Sequence, residues 1–118
     1  DAAITSPAVR AHDTLQLAMD GGGWTCPTRT VASLYGGGVS DLVAEVRNEP
    51  ATTDVLVAVG HEPTWSEAVS AFIGGGEVRL PTAAMARIDF DVDGWSEVGP
   101  GRGVLVWSVV PRLLAGRA

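Results

Sequence analysis

The run Asp54-Val55-Leu56-Val57-Ala58-Val59-Gly60 constrains this chain more than any other segment. It is apolar almost throughout. That is too short for a membrane-spanning helix and too continuous for a strand with one wet face. A strand covered on both faces reads this way, and such strands belong to parallel sheets flanked by helices. Gly60 ends the run, and His61-Glu62-Pro63-Thr64 comes next. In open α/β sheets, the carboxyl edge of the strands is where ligands bind.

The rest of the chain fits around that strand. Ala2 to Thr5 predicts a short strand end. Ser6-Pro7 predicts a helix start, with Ser6 as cap and Pro7 at the first helical position. Val9, Ala11, Leu15, Ala18 and Met19 give that helix its apolar positions to about Asp20, and Gly21-Gly22-Gly23 stops it. Thr25 to Val31 suits an edge strand, because Pro27 is poorly tolerated at a sheet centre. Ser40 should cap a second helix with Leu42, Val43 and Val46 inward, ending before Pro50. A third helix is expected from Thr64 to Ile73. Met85 to Val92 alternates with period two, and Val104 to Val110 is a final strand, so the chain should close on a hairpin. The 118 residues therefore predict one layered α/β domain over 1–118.

Composition removes several chemistries. Lysine is absent and all eight basic residues are arginine, which excludes a P-loop lysine, a Schiff base and a Ser-Lys pair. The net charge of -6, with arginines scattered, argues against nucleic acid as a partner. No apolar run is long enough for a membrane span. Cys26 is the single cysteine, which rules out an internal disulfide and suits a cytoplasmic protein; it is expected to be a small buried apolar residue. His61-Glu62-Pro63-Thr64-Trp65 begins like a zinc-protease helix, but Trp65 stands where the second ligand belongs, so no metal is expected. His12 and Asp13 fall on the solvated side of the first helix. The four tryptophans are spread over separate elements and are expected to pack.

Two segments share one grammar, a strand end and then a helix start. One carries His61. The other, Ser6-Pro7-Ala8-Val9-Arg10, offers free helix N–H groups and a guanidinium one turn in, both suited to a phosphate. Two parallel strands would bring Arg10 and His61 to one sheet edge. That pairing suits phosphoryl chemistry, where positioning and charge neutralisation dominate.

At these residues the sequence resembles the histidine phosphatase superfamily, the phosphoglycerate-mutase-like proteins, and within it the phosphohistidine phosphatases of SixA type. Ser6-Pro7-Ala8-Val9-Arg10-Ala11 with Thr14 resembles the family's SPxxRAxxT segment. Leu34-Tyr35 resembles its LY step. Val57-Ala58-Val59-Gly60-His61-Glu62-Pro63 resembles VGHNP, Leu80-Pro81-Thr82-Ala83 the PTA/PTG step, and Gly99-Pro100-Gly101-Arg102-Gly103 a turn found in bacterial members. The resemblance implies an α/β/α sandwich around a mostly parallel sheet. It implies a phosphatase without metal or cofactor, acting on phosphohistidine in a protein or on a small phosphomonoester through a phosphohistidine enzyme intermediate. Arg10 would clamp the phosphate and His61 would stabilise the phosphoryl oxygens. Ser6, Glu62 and Thr82 would contact substrate.

The sequence departs from the family in two ways. No Arg-His dipeptide, the motif that carries the family's nucleophile, occurs in these residues. The chain starts where the fold's second strand should end, so an Arg-His strand, a loop and a helix, roughly 40 residues by usual element lengths, are expected to be missing. Without them the chain should be inactive. It is then either part of a phosphatase or a non-catalytic module that binds a phosphorylated partner. Glu62 also replaces the usual asparagine. It could donate a proton to the leaving group or bond a local N–H.

Overall fold

The computed structural model describes residues 1–81 and 84–109. Its elements run β1 (Ala2–Thr5), α1 (Val9–Gly22), β2 (Thr28–Thr30), α2 (Val39–Arg47), β3 (Leu56–Val59), α3 (Thr64–Phe72), β4 (Met85–Phe90) and β5 (Gly103–Val109). Single helical turns at Ala32–Leu34 and Trp95–Glu97 fill two of the connections. This is an α/β fold with the expected element order. Among the described residues no helix is long and apolar enough to cross a membrane.

The parallel sheet has the order β2-β1-β3, which puts β1 at its centre. Ala3 pairs with Val57, Ile4 with Ala58 and Thr5 with Val59. Side chains alternate across a strand, so Ala3 and Ile4 face opposite ways, yet Ala3 is 1% exposed and Ile4 0%. Both faces of β1 are therefore covered. Ile4 joins Leu42, Val43 and Val46 of α2 and Ala68 and Phe72 of α3 in the main core, with Leu56 and Ala58 of β3 beside them. The other face receives α1, which touches β1 and β3 and buries Ala11 and Leu15.

Several local details differ from expectation, each for a visible reason. Helix α1 starts at Val9, with Ala8 as its cap. The Ser6 hydroxyl accepts the Ala8 N–H at 3.2 Å, a turn just ahead of the helix. Val9 consequently faces solvent. The helix ends two residues later than expected, at Gly22, because Gly23 takes the left-handed conformation with φ 67°. Gly38 rather than Ser40 caps α2, and its N–H donates to the Asp41 carboxylate at 2.9 Å. Strand β2 is short because Pro27, just ahead of it, contributes only a carbonyl, which accepts the Ala3 N–H.

The largest difference concerns β3. Its residues are only partly buried, and Val55 beside it is 60% exposed, although the sequence predicts full cover. Among the described residues β3 is paired on one edge only. The indole N–H of Trp65 donates to the Ala58 carbonyl at 3.2 Å, and its ring lies so close to Gly60 that a Cβ there would meet it at 2.2 Å. Strands β4 and β5 form a separate antiparallel pair with an irregularity between Arg87 and Ile88. Ile88 and Phe90 still reach the main core, and Phe90 meets Phe72 edge to face with centroids 5.1 Å apart.

Polar ties hold the layers. Arg29 on β2 binds the Glu49 carboxylate at 2.6 Å, and Thr53 donates to the same group at 3.1 Å. The Arg47 Nε–H donates to the Val98 carbonyl at 2.7 Å and joins the end of α2 to the segment before β5. Ile4→Ala should empty the most enclosed position in the sheet. A loss of about 2–5 kcal/mol is expected for such a truncation, measurable as a lowered urea midpoint at unchanged m-value.

Candidate functional site

The register of β1 with β3 builds the site. Because Thr5 pairs with Val59, the chain leaves both strands at the same level. The Ser6 N–H continues the ladder with one more bond to the Val59 carbonyl at 3.0 Å. From there the chain runs into α1 on one face of the sheet and into α3 on the other. Adjacent parallel strands whose helices part to opposite faces leave a crevice between them.

Ser6 and His61 meet in that crevice. The Ser6 Oγ and His61 Nε2 are hydrogen-bonded at 2.7 Å. The ring of Tyr35 lies beyond His61 with centroids 6.0 Å apart and planes tilted by 43°. A hollow of about 340 Å³ opens here, walled by Ala8, Tyr35, Gly37, His61, Glu62 and Thr64 among others. That is room for a small ligand. Thr64 fixes the far wall by donating its hydroxyl to the Gly37 carbonyl at 3.0 Å. Gly37 is required where it stands, since a Cβ there would come within 2.0 Å of the Ser33 carbonyl oxygen.

Glu62 lines the hollow, but its carboxylate is engaged locally. One oxygen accepts the Ser66 N–H at 2.9 Å, and the other accepts the Ser66 hydroxyl. The Ser66 oxygen in turn accepts the Leu80 N–H at 2.8 Å. Of the two roles open to Glu62, the structure has it bonding a local N–H at the start of α3. This link holds the segment around Leu80 against the helix. Sequence reasoning missed Ser66, whose signal was its position one turn after Glu62.

The sequence-derived residues are thus only partly assembled. Ser6, His61 and Glu62 come together. Arg10 stands on the first turn of α1, exposed, just beyond Ala8. It makes no ion pair among the described residues and is not part of the hollow's wall. Thr82 lies outside the described residues. His12 is exposed on α1, as expected. Among the described residues no three His, Cys, Asp or Glu side chains cluster closely enough to hold a metal ion.

No family model matches the chain. Two uncharacterised proteins of Mycobacterium tuberculosis do, MT1313 of strain CDC 1551 and Rv1276c of strain H37Rv. Each is 32% identical over 122 residues, covering 95% of this chain and 74% of its own length. The chain belongs to the family of these two proteins. A solved structure from Nakamurella multipartitia, provisionally assigned as phosphohistidine phosphatase SixA, superposes with a TM-score of 0.81 at 22% identity. The match covers 92% of this chain and 69% of that one. That likeness establishes that this chain shares the α/β fold of the Nakamurella protein.

The Glu62 network generates a stability test. Glu62→Ala removes the acceptor at the start of α3 and should cost about 1–2 kcal/mol, in the range of a lost helix cap. Glu62→Gln keeps one acceptor oxygen and should lose less. Denaturant midpoints of the two variants check the order.

Proposed function

We propose that the hollow beside His61 holds a phosphoryl group. The protein is then a cytoplasmic phosphatase that hydrolyses phosphohistidine or a small phosphomonoester, without metal, through a phosphohistidine enzyme intermediate. The observation that carries this proposal is the Ser6–His61 bond at the ends of two adjacent parallel strands, beside the start of α1. It brings together the two segments whose residues resemble the family's phosphate site. A helix start offers N–H groups and partial positive charge to an anion. The long exposed side chain of Arg10 stands in the same first turn, free of ion pairs among the described residues, and would fold over the phosphate as a guanidinium clamp. His61 would donate to a phosphoryl oxygen.

The nucleophile in this reaction is a histidine outside these 118 residues. The sequence holds two histidines, His12 on the exposed face of α1 and His61 in the phosphate-contact role. The interrupted sheet supports a strand-borne nucleophile. Strands β3 and β4 pack on one core, yet among the described residues they belong to separate sheets and each is paired on one edge only. A further strand at the edge of β3 would present its end at the same crevice. The nucleophile's imidazole would attack phosphorus and break the bond to the leaving group. Water would then release inorganic phosphate and restore the histidine.

Inorganic phosphate or vanadate binding tests the site in the chain itself. Arg10→Ala and His61→Ala should each weaken binding by about tenfold or more, as loss of a charge-assisted hydrogen bond would. Unchanged affinity in both variants would remove the proposed site. Catalysis is tested on the protein of the full reading frame. A burst of acid-labile protein phosphate is expected on adding a phosphoryl donor. If phosphate binds but no burst appears, the protein is instead a phosphate-binding module of this fold that recognises a phosphorylated partner without turnover.

A further inference from the structure

The fully buried hydroxyl of Ser6 has a consequence for the chemistry of His61. Ser6 is 0% exposed, so a ligand in the hollow cannot touch it, and its role must be exerted through another group. A serine hydroxyl carries one hydrogen and two lone pairs. One lone pair is used by the Ala8 N–H, which donates to Oγ at 3.2 Å. The hydroxyl hydrogen still needs an acceptor, because buried polar groups are almost always paired. Among the described residues the partner at hand is His61 Nε2, at 2.7 Å. If the imidazole donated instead, the serine hydrogen would be buried with no other acceptor among the described residues.

We infer that Ser6 is a positioning residue that donates to Nε2 and thereby holds neutral His61 in the Nδ1–H form. The hydrogen bond made at one ring nitrogen decides the protonation of the other. His61 Nδ1 has no protein partner among the described residues, and the ring lines the hollow. A neutral His61 then still offers an N–H donor to a bound anion, so the contact does not require an imidazolium. This rests on the phosphate-site proposal for the identity of the anion, but the state of the ring can be measured without any ligand.

The experiment is a long-range proton–nitrogen correlation spectrum of the 15N-labelled chain, at a pH high enough for the ring to be neutral. His61 should give the pattern of a single Nδ1–H tautomer. Ser6→Ala should shift it towards the Nε2–H form, and Ser6→Thr, which keeps the hydroxyl, should restore it. Inorganic phosphate affinity should fall about tenfold in Ser6→Ala, the size of one hydrogen bond to a charged group, and recover in Ser6→Thr. An Nε2–H pattern in the unmodified protein overturns the inference, and that spectrum decides the matter even if Ser6→Ala does not fold. An unchanged tautomer in folded Ser6→Ala overturns it as well. The expected tautomer with no phosphate binding leaves the Ser6 role standing and removes the phosphate site.

Discussion

Everything at the candidate site depends on the pairing of β1 with β3. Their register sets Thr5 beside Val59, so the first residues beyond each strand emerge side by side. A shift of one residue would turn each side chain to the opposite face of the sheet. Ile4 would leave the core, and Ser6 would no longer meet His61. The register is therefore held by burial on both faces of β1, with Ala3 and Ile4 both enclosed and Ile4 packed with α2 and α3. The hydrophobic layers and the polar pair are products of one alignment.

Much of this was legible in the sequence because the signals were periodic or terminal. The apolar run at Val55 to Val59 announced a parallel strand, and Gly60-His61 marked its carboxyl end, where the hollow opens. The order of all eight elements came from apolar spacing and from glycine and proline stops. Where expectation and structure part, the competing interaction is local. Ser6 looked like a helix cap, yet its hydroxyl serves the turn ahead of the helix and the histidine across the sheet. Pairing across two strands separated by more than fifty residues leaves no periodic trace. The incomplete cover of β3 was equally hidden, since a run of valines reports what a strand can bury, not what is present to bury it.

The two carboxylates set into the frame show why residue type alone was ambiguous. Glu49 and Glu62 both sit near helix ends, and both are tied up within the protein. Glu49 joins α2's end to β2 through Arg29. Glu62 joins α3's start to the segment at Leu80 through Ser66. Neither arrangement needs a ligand, although Glu62 lines the hollow. A carboxylate beside the proposed phosphate site would repel the anion if its charge were free. Bonds to the Ser66 N–H and hydroxyl spread that charge into the helix start, where partial positive charge favours it.

Gly37 places a limit on how this hollow could diversify. The wall there is main chain, packed so tightly against the Ser33 carbonyl and the Asp41 carboxylate that no side chain could be accommodated. Substitution cannot reshape a surface made of backbone. Room for bulkier or differently charged molecules would have to come from the side chains that share the space, Ala8, Tyr35, Glu62 and Thr64 among them. Sequence drift at such side-chain positions, against a constant glycine, is the trace that divergence in ligand preference would leave.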